Sequence, residues 1–117
     1  MEATNPAGIA TDDPLVRAVV EQVVAEADPL RVVLFGSRAT GEARPDSDID
    51  LLVVMPDGTD RRAAMTRIGS RLRRPGVGID LLVTTPAVLA ARGDDPGLIY
   101  RTVLQTGRDL YSAARVS

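Results

Sequence analysis

Cysteine is absent from the 117 residues, and so is histidine. The first absence excludes disulfides and thiolate metal sites. The second removes the usual general base and the commonest transition-metal ligand. Tryptophan is missing too, and aromatic residues make up only 3% of the chain. Lysine is wholly lacking: all fourteen basic residues are arginine, a bias that speaks first of genome composition and only weakly of phosphate binding. A net charge of −2 gives no global attraction to nucleic acid, so direct nucleic-acid binding is not expected. No segment has the length and apolarity of a membrane span, and no basic-then-apolar N-terminus reads as a secretion signal. A cytoplasmic protein is the expectation. Any chemistry must use carboxylates, hydroxyls, arginines and hard cations, an inventory that suits Mg²⁺ or Mn²⁺ and not zinc.

What is present describes one domain, with 44% apolar residues and enough chain to bury a core without staples. Residues 1–12 read as a disordered lead, 13–112 as the domain and 113–117 as a tail. Asp13-Pro14 caps and opens a helix whose valines recur at helical spacing until Asp28-Pro29 ends it. Arg31 to Phe35 reads as a strand buried on both faces. A short helix follows Ser37 and stops at Gly41; residues 42–47 form a polar loop. Ile49 to Met55 is a second strand, closed by the turn Pro56-Asp57-Gly58. A helix from Thr59 or Asp60 carries six arginines beside its apolar stripe, which is either a solvated face or a docking surface for an acidic partner or RNA. Val77 to Thr84 is a third strand. Two short helices follow, from Thr85-Pro86 and from Asp95-Pro96, the second closed by Gly107; Asp109-Leu110-Tyr111 is a brief apolar closure. Tyr100 and Tyr111 read as packing residues.

One stretch carries chemistry. The apolar run Val32–Phe35 breaks at Gly36-Ser37, and ten residues later come Asp48 and Asp50, followed at once by the second apolar run. Strand side chains alternate, so Asp48 and Asp50 share a face, with Cα atoms roughly 6.6 Å apart. That spacing lets two carboxylates converge on cations of a two-metal site, themselves ~3.5–4 Å apart. Glycine after a strand permits close approach by a ligand, and amides opening a helix offer an anion site. Phosphate donors beside metal-binding carboxylates describe a site for a nucleoside triphosphate. The third strand repeats the second: Ile79-Asp80-Leu81-Leu82-Val83 echoes Ile49-Asp50-Leu51-Leu52-Val53. If the two strands are neighbours in register, Asp80 joins Asp48 and Asp50 at one end of the sheet.

Gly36-Ser37, ten residues, then Asp48-Ile49-Asp50 resembles the signature of the DNA polymerase β-like nucleotidyltransferases. The fuller string over 36–53 resembles their small branch, the minimal nucleotidyltransferases. The resemblance implies an α/β (α+β) nucleotidyltransferase fold, a small mixed sheet of three or more strands flanked by about four helices. It also implies Asp48, Asp50 and Asp80 as catalytic metal ligands for two Mg²⁺ ions, with Mn²⁺ an alternative. Gly36 and Ser37 become the phosphate-loop pair for ATP. Arg38 and Ser47 are further candidates for nucleotide contact, Arg38 and Arg44 being the nearest cations. Relatives of this branch act as antitoxins paired with HEPN-domain ribonuclease toxins, which implies transfer of AMP from ATP to a tyrosine hydroxyl of that partner. Two alternatives stay open: a standalone transferase acting on a small-molecule hydroxyl, and an antitoxin that neutralises by binding alone. A homodimer, or a mixed assembly with the toxin, fits any antitoxin reading.

Overall fold

The computed structural model describes residues 8–73, 76–92 and 99–113. Asp13 starts α1 (Pro14–Ala27): its carboxylate accepts from the amides of Leu15 and Val16, with proline at the first helical position. Both features satisfy or remove amides that a helix start leaves without partners. Val16, Val19, Val20 and Val23 line the buried stripe, and Asp28, in the left-handed region at φ 49°, ends the helix. Of the stretch read as a lead, residues 1–7 lie outside the described residues. Within residues 8–12, Ile9 is 1% exposed and the Ala10 amide donates to the Leu110 carbonyl.

The remaining elements follow the predicted order, with β1 (Arg31–Phe35), α2 (Ser37–Thr40), β2 (Ile49–Val54), α3 (Arg61–Arg71), β3 (Ile79–Thr84), α4 (Pro86–Arg92) and α5 (Ile99–Thr106). The predicted start of the last helix, at Asp95-Pro96, lies outside the described residues. A fourth strand, β4 (Arg108–Ser112), stands where a brief apolar closure was expected. The sheet order is β3-β2-β1-β4. β1 pairs antiparallel with both β2 and β4, while β2 and β3 run parallel.

The two faces of this mixed sheet bury different partners. Val32, Leu34, Ile49, Leu51 and Val53 point into a core shared with α1 and α3. Val33, Leu52 and Val54 point the other way, against Tyr100 and Val103 of α5. Each such valine or leucine contributes about 1.5–3 kcal/mol when fully buried. Because alternation has period two, Asp50 lies on the α5 face with Leu52, and Asp80 lies there with Leu82.

Candidate active site

The repeated pentapeptide is a pairing register. Ile49 stands beside Ile79, Asp50 beside Asp80, and so on to Val53 beside Val83. In-register parallel neighbours point to the same face, so the Asp50 and Asp80 carboxylates meet at the sheet end. Antiparallel pairing sets Phe35 opposite Asp50, which carries the Gly36 bend over the same carboxylate. Gly36 has φ 77° and ψ −158°, a conformation essentially confined to glycine. A Cβ there would collide with Asp50 Oδ2 and stand 3.1 Å from its Cγ. Glycine is therefore required twice over, by the backbone and by the carboxylate lying against it. Ser37 opens α2 immediately afterwards, where amides lack intrahelical partners.

Asp48 precedes β2 and is exposed. A Cβ on Gly78 would approach its Oδ1 to 2.5 Å, and the Ile49 amide donates to the Gly78 carbonyl at 2.9 Å. Gly78 thus cradles Asp48 as Gly36 cradles Asp50. The sequence reading missed this glycine; its signal was the step from Gly78 to Asp80, matching that from Asp48 to Asp50.

The charges interact. Burial, a hydrogen bond to Asp80 and the negative charges of Asp80 and Asp48 raise the Asp50 carboxyl from 3.8 to about 6. Protonated Asp50 is the donor of that hydrogen bond. Among the described residues none of the three acids is in an ion pair, and no three acids are already gathered as a closed metal cluster. The donor set nevertheless fits a hard divalent cation. It consists only of carboxylate oxygens, it holds like charges without a protein cation, and two of them are flanked by glycines that keep the space clear.

Arg38 and Ser47 are not gathered with the acids. The Arg38 side chain is 9% exposed and its donors are engaged by protein oxygens. Nε and Nη2 donate to the Ser47 carbonyl, Nη2 also to the Pro45 carbonyl, and Nη1 to Asp13. The Ser47 hydroxyl accepts from the Arg44 amide. Arg38 clasps the loop that delivers Asp48 and ties it to the start of α1. Arg38→Ala should cost about 2 kcal/mol in denaturant unfolding, since buried bonds to a charged donor are lost. Proteolysis should then begin within residues 42–47. Arg38→Lys should recover little of this, because an ammonium cannot span the same fork of acceptors.

A strand-bend-helix thus holds glycine against Asp50, and Asp80 on the parallel neighbour β3 comes to the same sheet end. The chain belongs to the nucleotidyltransferase-domain family, whose profile matches residues 16–109. Among solved structures it is similar to a Sulfolobus solfataricus protein provisionally assigned as a nucleotidyltransferase. That match has 29% identity over 66% of this chain and 69% of the other, with TM-score 0.51. It also shares its fold with a chain of a toxin–antitoxin complex determined with AMP-PNP, at 18% identity, 86% and 82% coverage and TM-score 0.57. No curated protein matches the sequence significantly. Among the described residues no helix is long and apolar enough to cross a membrane.

Proposed function

We propose that this nucleotidyltransferase is the antitoxin of a two-protein system and moves AMP from ATP to a tyrosine hydroxyl of a HEPN-domain ribonuclease toxin, silencing it. The observation that carries the chemistry is the register of Asp50 against Asp80 beside the Gly36 bend. The antitoxin role is supported by the resemblance of residues 36–53 to the minimal nucleotidyltransferases and by the fold shared with a toxin–antitoxin chain.

Ser37 and the amides that open α2 hold the terminal phosphates and align the α-phosphorus for attack. Asp48, Asp50 and Asp80 would hold Mg²⁺, which would lower the pKa of the acceptor hydroxyl and offset the charge that develops on pyrophosphate. Asp80, the exposed acid on the outer strand, faces the acceptor and takes its proton. The new bond joins the acceptor oxygen to the α-phosphorus. The bond that breaks lies between that phosphorus and the oxygen leading to the β-phosphate, so pyrophosphate leaves.

Purified protein, α-labelled ATP, Mg²⁺ and the toxin encoded beside it should give a labelled toxin with lost RNase activity. Asp48→Ala should leave the toxin unlabelled and active. Label that persists in that variant removes this reading. Neutralisation without label favours binding alone.

A further inference from the structure

Among the described residues only one of the two sheet edges is protected. At β4 the strand is bulged opposite Val32 and Val33, it carries Arg108 and Asp109, and the segment around Ala10 hydrogen-bonds to it. Bulges, charges and covering segments are the usual devices against unwanted strand pairing. At β3 there is no bulge and no proline, and Asp80 is the single charge among Ile79, Leu81, Leu82 and Val83.

The free backbone of β3 is identified by its ladder. Gly78 and Thr84 offer their carbonyls to Ile49 and Met55 of the β2 side. In a parallel pair bonding residues alternate, so Ile79, Leu81 and Val83 turn their amides and carbonyls away from β2; Ile79 and Leu81 are partly exposed there, whereas Val83 is buried. Among the described residues they have no backbone partner there.

The chemistry along this edge is basic. A cavity of about 360 Å³ is lined by Asp60, the N-cap of α3, by Arg61, Arg62 and Met65 of α3, Leu82 and Val83 of β3, and Tyr100 of α5. α3 covers one face of the sheet and α5 the other, so a space bounded by both sits astride the β3 edge. A second cavity of about 440 Å³ shares Arg61 and Tyr100 and adds Arg92. Among the described residues none of these three arginines is in an ion pair; Arg61 has only a 3.5 Å contact with the Tyr100 hydroxyl. Arg61 and Arg62 also occupy the first turn of α3, which holds no acid of its own and where the helix dipole disfavours cations; the neighbouring N-cap Asp60 accepts from the Ala63 amide.

We propose that the β3 edge is where the acceptor docks: an extended, acidic polypeptide segment adds as a strand beside β3, its carboxylates on Arg61, Arg62 and Arg92 and its hydroxyl next to Asp80. The acceptor role rests on the transfer reading above. Main-chain pairing supplies affinity and alternate side chains supply specificity in this mode of recognition. Side chains two residues apart share a face. Tyr100 packs with Leu52 and Val54, whose register partners are Leu82 and Thr84. The acids of the segment therefore fall two to four residues from its hydroxyl. A nucleic acid could meet the arginines and a single outward amide, but it has no peptide backbone with which to continue the ladder.

The test is fluorescence anisotropy on the full chain with nine-residue peptides. Each has tyrosine near one end, glutamate at alternate positions and valine or threonine between, in both orientations. One acidic peptide should bind at least tenfold more tightly than its lysine counterpart. The Arg61→Ala/Arg62→Ala/Arg92→Ala protein should lose at least tenfold of that preference. Methylating the peptide's alternate amides should abolish binding without altering the protein. The proposal is overturned by no binding at millimolar peptide, by equal binding of the acidic, lysine and methylated peptides, or by displacement by an RNA oligonucleotide whose own affinity falls in the triple variant. A dimer in light scattering that Leu81→Pro dissolves also overturns it, since a second copy would then own the edge. AMP transfer to the peptides is read separately. Selective binding without transfer retires the chemistry and leaves the edge; transfer indifferent to charge and methylation retires the edge and leaves the chemistry.

Discussion

Gly36→Ala is expected to unfold at much lower denaturant than the natural protein and to lose ATP uptake in what remains folded. Two costs combine. The backbone at φ 77° and ψ −158° costs a residue with a side chain about 1–3 kcal/mol. The added methyl also falls on the Asp50 carboxylate, an overpacking that costs about 1–3 kcal/mol where neighbours cannot yield. A total near 3–4 kcal/mol is a large share of the about 5–15 kcal/mol that holds a domain folded. Gly41→Ala separates the two. Gly41 also has positive φ, at 84°, but nothing lies within 4 Å of its Cβ position, so about 1 kcal/mol is expected. A cycle closes the argument: in an Asp50→Ala background the Gly36→Ala penalty should shrink by about 1–2 kcal/mol, as touching residues are non-additive. An unchanged penalty would mean that the carboxylate does not lie against the bend.

That contact shows what the sequence could and could not disclose. The acids were readable because their signals are local: a strand, a glycine, two carboxylates at period-two spacing, and a second copy of the same five residues. Matching pentapeptides bury one face against a helix layer and the other against α5, so a slip of one residue would exchange the two faces. β4 was not readable in this way. The bulge between Val32 and Val33 lets consecutive Leu110 and Tyr111 both be buried, so the strand lacks alternation. Gly107 was likewise read only as a helix stop. A Cβ there would collide with the Val103 carbonyl and stand 2.7 Å from Val33 Cγ1, a constraint set by residues far away in the chain. Arg38 misled through chemistry. An arginine next to a phosphate-type loop suggests an anion, yet its four hydrogen bonds go to three acceptors, on Asp13, Pro45 and Ser47, and no local pattern announces them.

Asp50→Asn should make the protein more stable and abolish its activity, and the pH dependence shows why one substitution does both. In the metal-free protein the Asp50 carboxyl is raised from 3.8 to about 6, first by burial and then by Asp80 and Asp48. A raised carboxyl means that the folded state holds this proton more tightly than the unfolded chain does. Its contribution to stability is complete below about pH 4 and is lost as pH rises through 6. At pH 7–8 the acids repel across the β2–β3 pair. Asparagine removes one charge at nearly constant shape. A gain of about 1 kcal/mol is expected at neutral pH, once solvent screening at this half-buried position is allowed for, with no gain at pH 4. Nucleotidyl transfer should fall on the order of 10³-fold or more, as when a preorganised charge is taken from a transition state. Added Mg²⁺ should reverse the ranking in thermal melts. It binds the folded natural protein and stabilises it by mass action, while the asparagine variant has lost a hard anionic ligand and should respond far less. A natural protein whose melting temperature is the same at pH 5 and pH 8, and is indifferent to Mg²⁺, would show that these three carboxylates do not act on one another. Under the proposed transfer reading, the acids are held together at a cost that a bound cation would offset.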